Sequence, residues 1–381
     1  MNFDRQPKAV YIHVPFCAHH CGYCNFSVIA GRDDLIEDYL QAIEIELSWL
    51  ERPRPVETIF VGGGTPTHLA ESQLIRLFDT IGRWFPLESD DNEISVEANP
   101  AGFTENKMDL LVGYGVNRLS LGGQSFNADK LQRLERDHCG DDVVCVVEQA
   151  SKRFSSISLD LIFAAPDETL TEWQEDLELG LQLPIQHIST YGLTYEHGTT
   201  FWSRRQKGEL SSAEEELEAD MYLSAISTIQ SRGLVHYEVS NFARPGHECR
   251  HNMTYWRGEP YFAAGPGAAR YIGGRRETNH RSLRTYLKRV LAGESPTDES
   301  EQLSIAGAAC ERLIFGLRML AGVELTEFHD STGFTVDELA GTEVAQFIEQ
   351  GLLQVEDNHL KLTQAGLLVS DSIWPELLTR L

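Results

Sequence analysis

Three cysteines stand close together near the start of the chain, in the stretch Tyr11–Phe26 (YIHVPFCAHHCGYCNF). Cys17, Cys21 and Cys24 have the spacing C-x₃-C-x₂-C and follow directly on an apolar, strand-like run. Thiolates are soft ligands that select zinc, copper(I) or iron–sulfur clusters. Because small residues separate the three, the loop can fold back on itself, and the spacing predicts a metal centre.

The identity of this centre depends on its fourth ligand. A closed structural zinc site takes four protein ligands, and the nearest further candidates are His13, His19 and His20. A 4Fe–4S cluster held by three cysteines instead leaves one iron without a protein ligand, and that iron is open to chemistry. A zinc site and three buried apolar thiols are the alternatives, and we favour the cluster.

Further residues with ligand-binding potential follow other apolar runs. A glycine run, Gly62–Gly64, allows backbone amides to approach a ligand closely because no Cβ intervenes. The other members of this group are Thr65, Glu97, Gln124, Arg136 and Asp160. Taken alone, Gln124, Arg136 and Asp160 are more simply interpreted as solvated loop residues.

The segments that must position these residues alternate between strand and helix. The predicted strands are Ala9–Val14, Thr58–Val61, Glu93–Val96, Arg118–Leu121, Ser156–Phe163 and His187–Leu193, with helical periodicity between them. Such alternation is typical of βαβ units and a parallel sheet. Six strands suit an α/β fold, a partial (β/α)6 TIM-like barrel, whose site lies at the carboxyl ends of its strands.

Three domains are predicted. Residues 1–235 form the partial barrel with the cysteine loop, and residues 236–297 form a linking segment rich in glycine and aromatic residues. Residues 298–381 read as a mostly helical, winged-helix-like domain, because a strand-turn-strand pattern (Leu352–Val355 and His359–Leu362) follows its helices.

The composition limits the partners. The formal net charge of −26 argues against a nucleic-acid or anionic-membrane surface, since both are bound through basic patches. No apolar run has the length of a membrane span, and Met1–Lys8 lacks a signal-peptide core. The remaining cysteines (Cys139, Cys145, Cys249 and Cys310) are no disulfide framework; we interpret them as small buried hydrophobes in a cytoplasmic protein.

The cysteine spacing, with Tyr23 before the third cysteine, resembles the signature of the radical S-adenosylmethionine superfamily. The motifs GGGTP at Gly62–Pro66 and E-x-N-P at Glu97–Pro100 strengthen the resemblance. It implies a 4Fe–4S cluster on the three cysteines, whose open iron chelates S-adenosylmethionine and whose reduction generates a 5′-deoxyadenosyl radical. By the same resemblance the cofactor-binding residues are Tyr11, Tyr23, Gly63, Gly64, Thr65, Glu97, Gln124, Arg136 and Asp160.

Within that superfamily the chain is most similar to the subfamily of oxygen-independent coproporphyrinogen III oxidases and HemW-type heme chaperones. The oxidases carry a fourth cysteine two positions after the third, where this chain has Phe26. The stretch His251-Asn252-Met253-Thr254-Tyr255-Trp256 resembles the H-N-x-x-Y-W motif of the chaperones. The resemblance therefore implies a protein that binds heme and delivers it to acceptor proteins. The alternative is the oxidase, a radical decarboxylase; radical enzymes acting on tRNA are disfavoured by the acidic charge.

The chemistry of the second motif fits heme. His251 supplies an imidazole for iron, and Tyr255 and Trp256 supply flat faces for the porphyrin. Cations for the propionates are nearby, at Arg250, Arg257, Arg270, Arg275 and Arg276. A core histidine beside packed aromatics, with arginines that offset local acids, remains the alternative interpretation.

The chain departs from the family pattern at three places. The Gly-x-Pro-Gly-Gln-Thr-like turn after the fifth strand reads Ala164–Thr169 (AAPDET) here. Ala269 stands where the family has histidine, and Gly123 replaces an aliphatic residue. We expect these changes to alter the substrate or heme pocket and to leave the cluster intact.

Overall fold

The computed structural model describes residue 3 and residues 5–378 of the chain. Within these residues, no helix is both long enough and apolar enough to cross a membrane. The last three positions of the predicted third domain lie outside the described residues.

The first half of the chain alternates between strands and helices, as predicted. In chain order its elements are β1 Ala9–Val14, β2 Phe16–Cys17, β3 Ile29–Ala30, α1 Ile36–Ser48, β4 Thr58–Gly63, α2 Glu71–Trp84, β5 Glu93–Ala98, α3 Glu105–Gly113, β6 Arg118–Gln124, α4 Ala128–Arg133, α5 Gly140–Ala150, β7 Ser156–Phe163, α6 Leu170–Gln182 and β8 His187–Gly192. Short 3₁₀ turns precede α1 and α2, at Asp33–Leu35 and Pro66–His68.

The second half is more varied. Its elements are α7 Thr200–Gln206, α8 Glu215–Ser231, β9 Val235–Glu238, β10 Asn241–Ala243, α9 Arg250–Trp256, β11 Phe262–Ala264, β12 Ala269–Ile272, β13 Arg275–Asn279, α10 Leu283–Leu291, β14 Thr297–Gln302, α11 Ile305–Leu317, β15 Val323–Glu324, α12 Leu325–Thr332, α13 Val336–Glu349, β16 Leu353–Glu356, β17 His359–Leu362, α14 Gln364–Leu368 and α15 Ser370–Leu378.

One nine-stranded sheet dominates, in the order β11-β1-β4-β5-β6-β7-β8-β10-β9. Neighbouring strands from β1 to β8 run parallel, which confirms the predicted α/β partial barrel. The prediction of six strands was incomplete. β11 adds in parallel beside β1, and β10 and β9 add antiparallel beyond β8. Both additions come from distant segments, which the local alternation does not reveal.

The burial patterns of the strands and helices account for the layered packing of the barrel. The strands are largely buried on both faces; in β1, for example, every residue except Tyr11 is buried. Such runs are typical of parallel strands covered by helices. The helices supply one apolar face each, as in α2, where Leu74, Leu77 and Ile81 recur at helical spacing in the core.

The segment 236–297 contains helices and strands as well as connecting loops. It contains α9, which lies at the amino ends of the barrel strands, because His251 contacts Thr58 and Arg250 contacts Asp91. We call α9 the floor helix. β12, β13 and β14 form a separate antiparallel sheet, so β14 crosses the expected boundary at residue 298.

The C-terminal part packs around its own core, with helices α11–α15 and the small sheet β15-β17-β16. One of its contacts with the barrel lies just after β9, where the Val239 amide donates to the Arg318 carbonyl at 3.1 Å. Among the single cysteines, Cys249 and Cys310 are buried as expected. Cys139 and Cys145 are exposed, and the interpretation of these two as buried hydrophobes was wrong.

Candidate functional site

The cysteine loop is held at the carboxyl end of β1 by contacts from several directions. β2 and β3 pair in parallel across it, so that Cys17 lies opposite Ala30. His13 Nε2 donates to the Ser27 carbonyl at 2.9 Å from beneath the loop. Arg281 donates to the Asn25 carbonyl from outside. These contacts between the loop and the rest of the protein therefore help to fix the shape of the loop.

Two side chains from loops elsewhere in the barrel reach the thiols. Thr65 Oγ1 lies 3.5 Å from Cys17 Sγ, and Arg136 Nη1 lies 3.5 Å from Cys21 Sγ. Burial raises the pKa of Cys17 to about 11 and also raises that of Cys24. A metal must therefore displace protons as it binds. Hydrogen-bond donors to sulfur are a recognised way to tune an iron–sulfur cluster.

The donor arrangement fits a cluster better than a single ion. Within residues 5–378, no three His, Cys, Asp or Glu side chains converge closely enough for one metal ion. A 4Fe–4S cluster distributes its cysteines over separate irons, so this spread suits it. His13 has no free nitrogen for a zinc ion: Nε2 donates to Ser27, and Nδ1 lies 3.0 Å from Tyr11 Oη. His19 and His20 are exposed on the loop.

The glycine run forms a cradle next to the loop. The Gly63 amide donates to Glu97 Oε2 at 2.8 Å, which joins β4 to β5. A Cβ at Gly62 would lie 2.6 Å from the Glu97 carboxyl carbon, and one at Gly64 would lie 2.7 Å from the Val14 and Phe16 carbonyls. Gly63 has φ of +104° and lies against His13. Residues larger than glycine would therefore clash at Gly62 and Gly64, and the absence of side chains lets a ligand approach the backbone here.

Glu97 and Asp160 face the interior of the barrel. Burial raises the pKa of Glu97 to about 7, with nearby Asp160 adding to the shift. Asp160 accepts hydrogen bonds from Ser120 Oγ at 3.0 Å and Ser158 Oγ at 3.2 Å. Burial also raises the pKa of Asp160. Two buried acids of this kind fit a ligand that brings positive charge, as the S-adenosylmethionine ammonium and sulfonium do.

Arg136 and Gln124 complete this end of the barrel. Arg136 Nη2 donates to the Gly122 carbonyl at 2.8 Å and to Asn99 Oδ1 at 3.2 Å. Its buried Nε has no hydrogen-bond partner in the part of the chain that the structure describes. Gln124 has φ of +63° at a register shift between β6 and β7. An orphaned donor and strained backbone are both typical of a ligand site.

Tyr23 is also at this end, where its ring packs edge-on against Phe201 with centroids 6.0 Å apart. The structure therefore brings together the cysteine loop and most of the predicted cofactor residues at the carboxyl ends of the strands. Tyr11 is deeper, with Glu97 and Asp160, on the wall of a cavity of about 200 Å³ that runs down the barrel. We call it the inner cavity.

His251 lies at the bottom of the inner cavity, far from the cysteine loop. The residue is 1% exposed, and both ring nitrogens have partners: Thr58 Oγ1 at 3.0 Å from Nδ1 and Tyr255 Oη at 2.7 Å from Nε2. Burial lowers its pKa to about 3, so the imidazole is neutral. Tyr255, one helical turn on, also lines the inner cavity.

Tyr255 also lines a second cavity, of about 110 Å³, on the other side of the floor helix. We call it the outer cleft; it is partly open and lies between α9 and α11. Its walls are mainly aromatic and include two arginines: Tyr255, Trp256, Tyr261, Tyr271, Arg276, Arg312 and Phe315, with Glu259 and Glu311. The buried Trp256 Nε1 has no partner among the described residues. Aromatic walls, cations and an orphaned donor fit a porphyrin ring with its carboxylates.

Most arginines of this segment have acidic partners. Arg250 pairs with Asp91 at 3.1 Å and Arg270 with Glu277 at 2.8 Å. Arg275 also contacts Glu277, at 3.6 Å, and Arg276 pairs with Glu311. The locally basic character read from the sequence is therefore largely neutralised by acids from other segments.

Comparison with known proteins agrees with this architecture. Residues 11–180 match the Radical SAM superfamily, and residues 307–369 match the HemN C-terminal domain. Heme chaperone HemW of Bacillus subtilis is 37% identical over 98% of this chain and 100% of its own length. This chain belongs to the HemW family of the radical SAM superfamily.

Other members of the HemW family and its relatives extend the comparison. Heme chaperone HemW of Lactococcus lactis is 34% identical over 98% of each chain. A mitochondrial radical S-adenosyl methionine domain-containing protein of Bos taurus is 33% identical over 99% of this chain and 88% of its own. The Escherichia coli HemN structure has a TM-score of 0.86 at 23% identity, covering 99% of this chain and 91% of that one. The HemN likeness shows the shared fold.

Sequence reasoning missed several residues that shape the site. Arg281 supports the cysteine loop from 256 positions beyond Asn25, and Thr58 supports His251 from 193 positions away. Phe201 lies directly under Gly22, where a Cβ would approach its ring to 2.5 Å. No local pattern marks these residues, because each acts through a contact made only in the folded chain.

Proposed function

We propose that this chain is a cytoplasmic heme chaperone. It holds a 4Fe–4S cluster on Cys17, Cys21 and Cys24, binds S-adenosylmethionine at the carboxyl ends of the strands, and binds heme at the floor helix for delivery to an acceptor protein. The observation that carries the proposal is the full-length similarity to relatives named heme chaperones, 37% identical in the case of Bacillus subtilis.

Two features of the chain support the same function. Phe26 occupies the position of the oxidases' fourth cysteine, and its side chain is 64% exposed beside the loop. The H-N-x-x-Y-W motif lies at the amino ends of the strands, whereas the cysteine loop lies at their carboxyl ends. A heme held at the floor helix is thus separated from a radical formed at the cluster, which suits storage and transfer of heme.

The residues proposed to bind S-adenosylmethionine have different roles. Bound S-adenosylmethionine with a reduced cluster would supply a 5′-deoxyadenosyl radical. Glu97, which accepts a hydrogen bond from the Gly63 amide, would bind its ammonium end. Arg136 would orient the cofactor beside Cys21, and Tyr11 and Asp160 would line the inner side.

A paired experiment tests this function against the oxidase alternative. Hemin titration, followed by the Soret band, should show saturable binding to the full-length protein, weakened by His251→Ala. An anaerobic assay with reductant, S-adenosylmethionine and coproporphyrinogen III should give no protoporphyrinogen. Formation of protoporphyrinogen would support the oxidase function instead of the chaperone function. Absence of saturable hemin binding would refute the heme site.

A further inference from the structure

His251 is poorly placed to bind iron directly. Both ring nitrogens have hydrogen-bond partners, at 3.0 Å and 2.7 Å, and the ring packs against Phe60 with centroids 5.2 Å apart. A nitrogen can bind iron only with its lone pair free. Ligation by His251 would therefore break a hydrogen bond in the floor of the barrel and require the ring to leave a fully buried site. His251 also does not line the outer cleft.

Three tyrosines line that cleft, and each offers a phenol oxygen. They are Tyr255, Tyr261 and Tyr271. Phenolate is an established axial ligand of heme iron, but the phenol must first lose its proton. Of the three, Tyr255 has a base at hydrogen-bond distance, the Nε2 of His251 at 2.7 Å.

The direction of this hydrogen bond follows from the partners available. Tyr255 Oη has no other hydrogen-bond acceptor among the described residues. If its phenol did not donate to His251, a buried donor would lack a partner, which would lower the stability of the fold. The phenol therefore donates to Nε2, and Nδ1–H donates to Thr58 Oγ1. In this tautomer Nε2 carries the only lone pair of the ring nitrogens that can accept a hydrogen bond, and it accepts the one from the phenol.

We propose that heme binds in the outer cleft with Tyr255 as the oxygen ligand of its ferric iron, His251 as the acceptor of the phenol proton, and Arg312 as the cation for a propionate. This inference rests on the proposed heme function. The iron–oxygen bond forms as the O–H bond breaks and the proton moves to His251 Nε2, while the iron stays ferric. Burial keeps the imidazole neutral in the free protein, but the phenolate formed beside it favours the imidazolium, because an opposite charge at hydrogen-bond distance stabilises the charged form. The phenolate and imidazolium are together neutral, and the Nδ1–H bond to Thr58 is kept.

Arg312 is assigned to the propionate because its own acidic partner is weak. Among the described residues its ion pair is with Glu327, at 3.9 Å, and that carboxylate is largely exposed, whereas Arg276 is closely paired with Glu311. Arg312 and Phe315 both come from α11, so the C-terminal domain supplies one wall of the site. The orphaned Trp256 Nε1 offers a second donor to the same edge of the porphyrin.

Three matched variants test the ligand: Tyr255→Phe, Tyr261→Phe and Tyr271→Phe each remove one hydroxyl from the same cleft. Ferric hemin complexes of the full-length protein are compared by resonance Raman and electron paramagnetic resonance. The natural protein should show phenolate ligation. Tyr255→Phe should abolish that signature and weaken hemin binding about ten-fold or more, whereas the other two should keep it. His251→Gln should keep an oxygen ligand with weaker binding, and Arg312→Gln should weaken binding without changing the spectrum.

The outcomes separate the two proposals. An imidazole signature in the natural protein, lost in His251→Gln and kept in Tyr255→Phe, overturns the tyrosine assignment and leaves the heme function standing. Loss of the phenolate signature in Tyr261→Phe or Tyr271→Phe alone also overturns it. Absence of saturable hemin binding by the natural protein refutes the heme function itself. Unchanged thermal unfolding of the free variants shows that each is folded.

Discussion

The amide of Gly63 donates a 2.8 Å hydrogen bond to the carboxylate of Glu97, across the carboxyl ends of β4 and β5. Burial outweighs this bond and raises the pKa of the carboxyl to about 7. The nearest other acid is Asp160, whose charge adds to the shift. Glu97 is thus divided between its neutral and charged forms at physiological pH, and a cationic ligand selects the charged form.

We predict that S-adenosylmethionine binds more tightly as pH rises through 7. Below that pH Glu97 is protonated in the free protein, and binding must remove the proton. With a pKa of about 7, affinity should increase about ten-fold between pH 6 and pH 8. Calorimetric titration of the cluster-loaded protein measures this. Glu97→Gln should bind weakly with a flat profile; an equally steep profile in that variant would contradict the assignment.

The raised pKa of Glu97 has the opposite effect on the stability of the free protein, which falls as pH rises. The folded pKa of Glu97 exceeds its unfolded value, so the folded state binds more protons between about pH 4.5 and pH 7. This group therefore makes the free energy of unfolding fall as pH rises across that window. Denaturant unfolding of the free protein at several pH values should show a smaller fall in Glu97→Gln, and an unchanged slope would count against the shift.

We predict that loss of the cluster leaves heme binding intact. The cysteine loop and the floor helix lie at opposite ends of the barrel, and the contacts of the outer cleft include none of the loop residues. Cys17→Ser should lose most of the roughly four irons expected per chain after reconstitution. Its hemin affinity should stay within about two-fold of the natural protein. Stoichiometric zinc after reconstitution of the natural protein would refute the cluster.

The sequence predicted the parts of this structure that local patterns determine. The six parallel strands follow from β-branched runs, and the residues at their ends, such as Gly63 and Glu97, meet because parallel strands end at one edge. The floor helix was missed because its seven residues, Arg250–Trp256, carry no clear amphipathic pattern and are fixed by Thr58 and Glu93. Arg281 and β11 were missed for the same reason: their partners are distant in sequence.

One departure from the family pattern has a simple physical account. Ala164 and Asp167 have φ of +60° and +58°, so both occupy the left-handed region at the two positions where the family turn has glycine. The replacement of the next glutamine by Glu168 is matched by Lys130, with which it forms a buried ion pair. The turn is kept, and its backbone strain is the consequence of losing the glycines.

We predict that Asp167→Gly stabilises the protein. Asp167 is exposed, and glycine adopts its positive φ without strain, which should raise the free energy of unfolding by about 0.5–1 kcal/mol. Asp167→Val should lower it by about 1–2 kcal/mol, because a β-branched residue tolerates this region poorly. Urea unfolding distinguishes the two, and destabilisation by glycine would show that the strain is absent.

A single methyl group at Gly62 should separate cofactor binding from cluster binding. The added Cβ would lie 2.6 Å from the carboxyl carbon of Glu97, so Glu97 must move away from the amide of Gly63. We predict that Gly62→Ala loses about ten-fold or more in S-adenosylmethionine affinity. It should still bind the cluster, since the cysteine loop does not include this position.

Gly82 provides the matched control for this change. It lies exposed in α2, and a Cβ there would meet no atom within 4 Å. Gly82→Ala should therefore leave cofactor binding unchanged and stabilise the helix by about 0.5–1 kcal/mol. Iron content, calorimetric titration and urea unfolding of both variants complete the test. Normal cofactor affinity in Gly62→Ala would show that Glu97 does not bind S-adenosylmethionine, because the carboxylate cannot keep its present position beside a methyl group.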